Sequence, residues 1–157
     1  MGNDTQYLAH VEDDRAFLTV IGKAGYLNCV HAGEFFKTVA ERGCKHLIID
    51  LKQCSGMDST FLGSITGVAL KLRKNGGDVS LLNLNERNAQ VVENLGIDRI
   101  VKIGTSECGH SEDTKIANGG VSSESILAAH ENLVAADADN LKKFKDVISF
   151  LRKGIGK

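Results

Sequence analysis

Short apolar runs and amphipathic stretches alternate along the first two thirds of the chain. Two of the runs flank a polar turn at residues 12–14, which is typical of a strand hairpin. The run at residues 46–51 is mostly apolar, as in a strand that is covered on both faces of a sheet. The predicted strands are residues 7–11, 16–21, 46–51, 79–84 and 100–103.

Three amphipathic stretches separate these strands, with apolar residues three and four apart, the period of a helix. Asn28 is the predicted N-cap of the first helix. The second covers residues 59–74, and the third begins at Asn85 and ends at Gly96. Strands that alternate with helices predict an α/β fold with a mostly parallel sheet.

The last third of the chain has a different composition. Residues 105–125 are rich in Ser, Thr and Gly and poor in apolar residues, which predicts a polar linker. Two amphipathic helices follow, separated by a break at residues 137–140. We therefore divide the chain into an α/β domain at 1–104, a linker at 105–125 and a two-helix extension at 126–157. The extension is either a partner-binding arm or a clasp over the domain's own surface.

Charge and composition limit the functional classes to which this protein can belong. The 157 residues carry 19 basic and 20 acidic side chains, a net charge of −1, so no overall field attracts nucleic acid or an anionic membrane. No apolar stretch approaches the roughly 18–20 residues of a membrane helix, and we expect no signal peptide. The four cysteines form no C-x-x-C pair, which favours reduced thiols in the cytoplasm.

The sequence gives little support for an enzyme or a cofactor. None of the five histidines falls in a motif that pairs it with Ser59 or with a cysteine. Cys54 lies near the same loop, but a buried, inert thiol is the better interpretation. Cys108 and His110 lack a second ligand pair at zinc spacing, and no phosphate-binding glycine motif is complete. We therefore predict no catalytic residues, no metal and no cofactor.

The turn formed by Asp58, Ser59 and Thr60 is the candidate functional site. It follows the strongest strand and opens a helix, at the sheet edge where functional loops collect. Asp58 is placed to cap the helix, with the hydroxyls of Ser59 and Thr60 near the surface. A phosphate there would suit the helix N-terminus but add charge and bulk to any interface. Taken alone, these residues are most often simply a helix cap.

Four segments resemble the STAS domain of anti-sigma-factor antagonists. The resemblance implies a mixed sheet of four to five strands with helices mainly on one face. It implies that Ser59 is phosphorylated by a cognate serine kinase that is also the anti-sigma factor, with Thr60 as the second choice. The unmodified protein would bind that kinase and free its sigma factor, and a serine phosphatase would reset the protein. The segments are residues 47–51, 57–63, 76–83 and 91–97.

Phe61 departs from the family pattern, because a small residue is usual at its position. We expect it to reshape a docking surface that it forms with Asp58, Thr60 and Gly63. Taken together, the sequence and the resemblance predict a cytoplasmic phosphoprotein that acts by binding another protein. We expect no nucleic-acid or membrane partner. Whether it forms a homodimer is left open.

The alternative is a STAS scaffold that assembles through its C-terminal helices without phosphorylation. A basic face on the last helix would then dock a partner, although a solvated face is the simpler interpretation. That face consists of Lys142, Lys143, Lys145, Arg152 and Lys153.

Overall fold

The computed structural model describes residues 5–106, 114–116 and 122–155. The strands are β1 (Gln6–Glu12), β2 (Arg15–Ala24), β3 (His46–Asp50), β4 (Cys54–Met57), β5 (Asp78–Leu82), β6 (Lys102–Gly104) and β7 (Thr114–Ile116). The helices are α1 (Val30–Glu41), α2 (Ser59–Lys74), α3 (Glu86–Asn94), α4 (Ser123–Ala136) and α5 (Asn140–Ile155), with a short 3-10 turn at Ile97–Arg99.

The sheet is mixed, which confirms the predicted fold class. Its strands lie in the order β6-β5-β3-β2-β1-β7, and β4 pairs with β2 beside that path. The pairs among β2, β3, β5 and β6 are parallel, whereas β1 is antiparallel to both β2 and β7. The sheet exceeds the predicted four to five strands for two reasons. Part of the expected linker pairs with β1 as β7, and the Ser- and Gly-containing β4 has no apolar alternation.

One face of the sheet carries the core. Leu47 and Ile49 of β3 are fully buried and pack in one cluster with Phe36 of α1 and Leu62 of α2. Ile48, on the opposite face of β3, is only half-buried. The prediction that β3 is covered on both faces is therefore wrong. Helices cover one face, and the other keeps partial contact with solvent.

Helix α2 is buried on all sides directly after Ser59, which is itself half-buried. Every residue from 60 to 63 is buried, which a helix packed on one side alone does not achieve. The sheet covers one side of α2, and α4 packs against the other. Helix α5 in turn packs on α4. The C-terminal helices are therefore a clasp on the domain and not a free arm.

Phe61 lies in the core. Its side chain is 0% exposed, and its ring lies between those of Tyr7 and Phe36, with centroids 6.0 Å and 6.1 Å away. The prediction that Phe61 forms part of an exposed docking surface is therefore wrong. The first turn of α2 directs this side chain inward, so its size adds to core packing.

This burial predicts a large effect on stability. Replacing Phe61 with Ala should lower the free energy of unfolding by about 3–5 kcal/mol, because the ring leaves a cavity. Leu27→Ala is the control, since Leu27 is 73% exposed and its truncation should cost less than about 0.5 kcal/mol. Urea denaturation followed by circular dichroism measures both. If Phe61→Ala lowered the free energy of unfolding as little as Leu27→Ala does, Phe61 would have to lie at the surface.

Candidate functional site

Strand β4 ends at Met57, directly before the Asp58 turn of the candidate site. Met57 pairs with Ala24 at the end of β2, and the next backbone N–H, that of Asp58, donates to the Ala24 carbonyl at 3.0 Å. Asn88 on α3 donates to the Cys54 carbonyl at 3.0 Å and holds the start of β4. The turn into α2 is therefore anchored from two directions.

The Asp58 carboxylate joins two elements. Its Oδ1 accepts the Phe61 N–H at 3.0 Å, which confirms Asp58 as the N-cap of α2. Its Oδ2 accepts the Tyr26 N–H at 2.9 Å, from the loop between β2 and α1. A single side chain thus caps the helix and fixes the neighbouring loop beside it.

Residues 25–28, here called the Gly25 loop, lie directly beside Asp58. A Cβ at Gly25 would overlap the Asp58 carboxylate, so only glycine allows this approach. Tyr26 and Leu27 are 49% and 73% exposed and place an apolar patch next to the turn. Sequence reasoning missed this loop, although a glycine directly after a strand was an available signal.

Asn28 is not the N-cap of α1. The cap position is Cys29, which makes no side-chain cap bond. The Asn28 amide instead accepts from the Tyr7 hydroxyl at 2.6 Å and from the Gly25 N–H at 3.1 Å, and it donates to the Lys23 carbonyl at 3.0 Å. Asn28 therefore ties the Gly25 loop to β1 and β2.

Ser59 contacts a histidine from the C-terminal extension. Its Oγ lies 2.9 Å from Nε2 of His130 on α4. The His130 Nδ1 lies 2.7 Å from the Ile126 carbonyl, which can only accept, so Nδ1 carries the proton. In the neutral ring Nε2 then accepts the Ser59 O–H. No local motif pairs Ser59 with a histidine, but the tertiary fold does.

Thr60 and Gly63 are also covered. Thr60 is 4% exposed, so the expectation that its hydroxyl lies near the surface is wrong. Gly63 is buried beneath the backbone of Ala129 on α4. Of the predicted site residues, only Asp58 and Ser59 are partly exposed.

The described cysteines are buried within the domain. Burial raises the pKa of the Cys29 thiol to about 12, assisted by the Asp58 charge. Burial also raises the pKa of Cys54, whose thiol donates to the Gly56 carbonyl at 3.3 Å. Both thiols are therefore poor nucleophiles near neutral pH, which agrees with the inert interpretation of Cys54.

Neither a metal cluster nor a membrane helix occurs in the part of the chain that the structure describes. Those residues contain no group of three or more His, Cys, Asp or Glu side chains placed to hold a metal ion. Their helices are too short or too polar to cross a bilayer. Cys108 and His110 lie outside the described residues.

The double role of Asp58 predicts graded stability losses. Asp58→Ala removes both acceptors and should lower the free energy of unfolding by about 2 kcal/mol. Asp58→Asn keeps one acceptor for the cap and presents a donor to the Tyr26 N–H, so it should lose about half as much. Urea denaturation measures both variants. A loss below about 0.5 kcal/mol for Asp58→Ala would contradict the two-bond role.

Thiol reactivity gives a second test. In a background that carries Cys44→Ser and Cys108→Ser, Cys29 and Cys54 should react with a thiol reagent at pH 8 about a hundredfold more slowly than in urea, because burial raises the pKa of both thiols and little thiolate forms. Raising the pH should speed labelling. Cys54 labelling at the unfolded rate would contradict its burial.

Comparison with known proteins identifies the same architecture. The STAS domain family model matches residues 10–108. The anti-sigma-B factor antagonist of Bacillus subtilis is 38% identical over 71 residues, which are 45% of this chain and 64% of that protein. The match thus spans just under two thirds of the relative's length.

Solved structures share the fold. An anti-sigma factor antagonist from Mycobacterium paratuberculosis superposes with a TM-score of 0.55 at 17% identity, covering 66% of this chain and 88% of that one. SpoIIAA of Bacillus in its unphosphorylated form gives 0.52 at 20% identity, covering 65% and 88%. The prediction of a regulator that is not an enzyme agrees with the names of these relatives. Because the STAS domain model matches residues 10–108, which is more than half of the chain, this chain belongs to the STAS domain family.

Proposed function

We propose that the chain is a phosphorylation-switched binding protein that acts on a serine kinase serving as an anti-sigma factor. The unmodified Ser59 turn binds the kinase, and phosphate on Ser59 ends that binding. The observation that carries the proposal is the position of Ser59, in the first turn of α2 beside a capping Asp58 that is anchored to two elements. The anti-sigma-B factor antagonist that the chain resembles supports the choice of partner class.

The local electrostatics suit a switch of this kind. A phosphoserine adds about −1.5 to −2 charges at pH 7, and a helix N-terminus accommodates an anion within its first turn. The first turn of α2 therefore tolerates the charge of the phosphate. A partner packed on the same turn meets new charge beside Asp58, and the loss of one or two contacts changes affinity by tens to hundreds of fold.

Ser59 is a better phosphate acceptor than Thr60. Ser59 is half-buried, whereas the Thr60 side chain is 4% exposed inside the first turn. The modification state of SpoIIAA differs between two of its solved structures, one unphosphorylated and one phosphorylated. A serine phosphatase that removes the phosphate would complete the cycle.

The Gly25 loop supplies the apolar part of the proposed docking surface. Tyr26 and Leu27 are exposed, and the Tyr26 backbone is bonded to Asp58. Interfaces take much of their affinity from aromatic and apolar anchors surrounded by polar groups. This patch takes the role that sequence analysis gave to Phe61.

A scaffold that assembles through α5 is the second candidate. Phe150 is 76% exposed and Val147 is 41% exposed, so this helix presents apolar side chains to the solvent. If α5 drives assembly, Phe150→Asp should shift the mass measured by light scattering from oligomer to monomer. A mass that does not change would exclude this role for Phe150.

The switch is tested by comparing wild type, Ser59→Ala and Ser59→Asp as baits in extract from the native cells. Wild type and Ser59→Ala should hold an ATP-dependent serine kinase, and Ser59→Asp should hold at least about tenfold less. Ser55→Asp is the matched control, because Ser55 is exposed on β4 and its change adds the same charge outside α2. Mass spectrometry should find phosphate on Ser59 of the protein from cells.

Two results would contradict the proposal. One is equal capture of the kinase by wild type and Ser59→Asp. The other is the absence of phosphate from Ser59 under conditions in which the kinase is active. Either result would reduce the Asp58–Ser59 turn to a helix cap.

A further inference from the structure

Helix α4 lies on the same helix turn that the proposed partner must reach. Gly63 and Gly67 are four residues apart, so they share one face of α2. A Cβ at Gly63 would overlap the backbone carbonyl of Ala129, and one at Gly67 would lie 2.5 Å from the Asn132 Nδ2. The two glycines therefore form a shallow groove into which the backbone of α4 fits.

Two hydrogen bonds fix α4 in this groove. The Asn132 amide donates to the Gly63 carbonyl at 3.3 Å, and Nε2 of His130 lies 2.9 Å from Ser59 Oγ. The His130 ring also packs edge-on against Phe144 of α5, with ring centroids 4.9 Å apart. Because His130 is 4% exposed, its bond to Ser59 is largely shielded from water.

The closed arrangement restricts the chemistry of Ser59. Phosphorylation transfers the γ-phosphoryl group of kinase-bound ATP to Oγ, with release of the hydroxyl proton and of ADP. The Ser59 hydroxyl proton is directed at Nε2 of His130, and the α4 backbone lies over Gly63 on the same helix. The Ser59 hydroxyl is therefore already engaged, and α4 covers part of the helix turn that carries it.

We propose that α4 is an autoinhibitory latch that competes with the kinase for the Ser59 end of α2. The inference rests on the proposed function. In the closed state His130 holds the Ser59 hydroxyl and Ala129 fills the Gly63 groove; the kinase binds after α4 leaves. A phosphate on Ser59 then prevents reclosure, because the 2.9 Å between Ser59 Oγ and the buried His130 ring leaves no room for the phosphoryl group.

The latch lowers the apparent affinity of the protein for its kinase. Binding is weakened by the fraction of molecules that are open, so a protein that is closed nine times in ten binds about tenfold less tightly. A substitution that releases α4 from α2 without changing any residue of α2 should therefore raise the affinity for the kinase by the same factor. The same change should expose the α4 amides to solvent.

Ala129→Leu is the variant that opens the latch. It adds bulk where α4 meets Gly63 and leaves every residue of α2 and the Gly25 loop intact. Ala128→Leu is the matched control, because Ala128 is on the same helix and exposed. His130→Ala removes the bond to Ser59 without adding an atom, and it carries the test if Ala129→Leu does not fold.

Hydrogen–deuterium exchange and kinase affinity are measured on the full chain. In Ala129→Leu, the amides of α4 should exchange at least about tenfold faster, with β3 and β5 unchanged, and kinase affinity should rise by a similar factor. Ala128→Leu should match wild type. Unchanged exchange in α4, or faster exchange with unchanged affinity, would overturn the latch.

The two proposals fail in different ways. If Ser59→Asp still abolishes kinase binding while Ala129→Leu has no effect on affinity, the switch stands and the latch is wrong. If Ser59→Asp binds the kinase as well as wild type does, the proposed switch is wrong. The latch is then wrong as well, whatever the hydrogen–deuterium exchange rates of the α4 amides are.

Discussion

The site depends on one constraint, which is that the two oxygens of the Asp58 carboxylate accept hydrogen bonds from two different elements. One oxygen satisfies an N–H of the first turn of α2, and the other satisfies the Tyr26 N–H in the Gly25 loop. Unpaired N–H groups at a helix start cost stability, so this side chain sets both the start of α2 and the place of the loop. The absence of a side chain at Gly25 makes the approach sterically feasible.

The same helix start also brings the domain and its C-terminal extension together. With α2 beginning at Ser59, the Phe61 side chain points into the core and Gly63 points toward α4. Close packing of two helices requires small residues at the contact, and Gly63 and Ala129 meet that requirement. The residue proposed to receive phosphate is thus held by the helix that would have to move.

Local patterns were sufficient for much of the fold and misleading at a few positions. Leu47 and Ile49 form a strand with a strong apolar signal, and Asp58 has the cap position that its place before a helix predicts. Strand β4 was missed because Cys54–Met57 contains Ser and Gly and pairs only with the end of β2. Asn28 was misassigned because an amide that suits an N-cap equally suits a loop network.

The sequence pattern alone was enough to predict an α/β fold and the helix cap at Asp58, because these depend on short-range periodicity and on a helix start. The STAS fold and Ser59 as the candidate phosphate acceptor were expected from the resemblance to a known family. The pairing of Ser59 with His130 was decided only by tertiary structure. The two residues are 71 positions apart, and the apolar period of α4 does not specify which surface the helix covers. Burial of Phe61, Thr60 and Gly63 likewise follows from α2 being enclosed by the sheet and by α4, a long-range arrangement that no local pattern encodes.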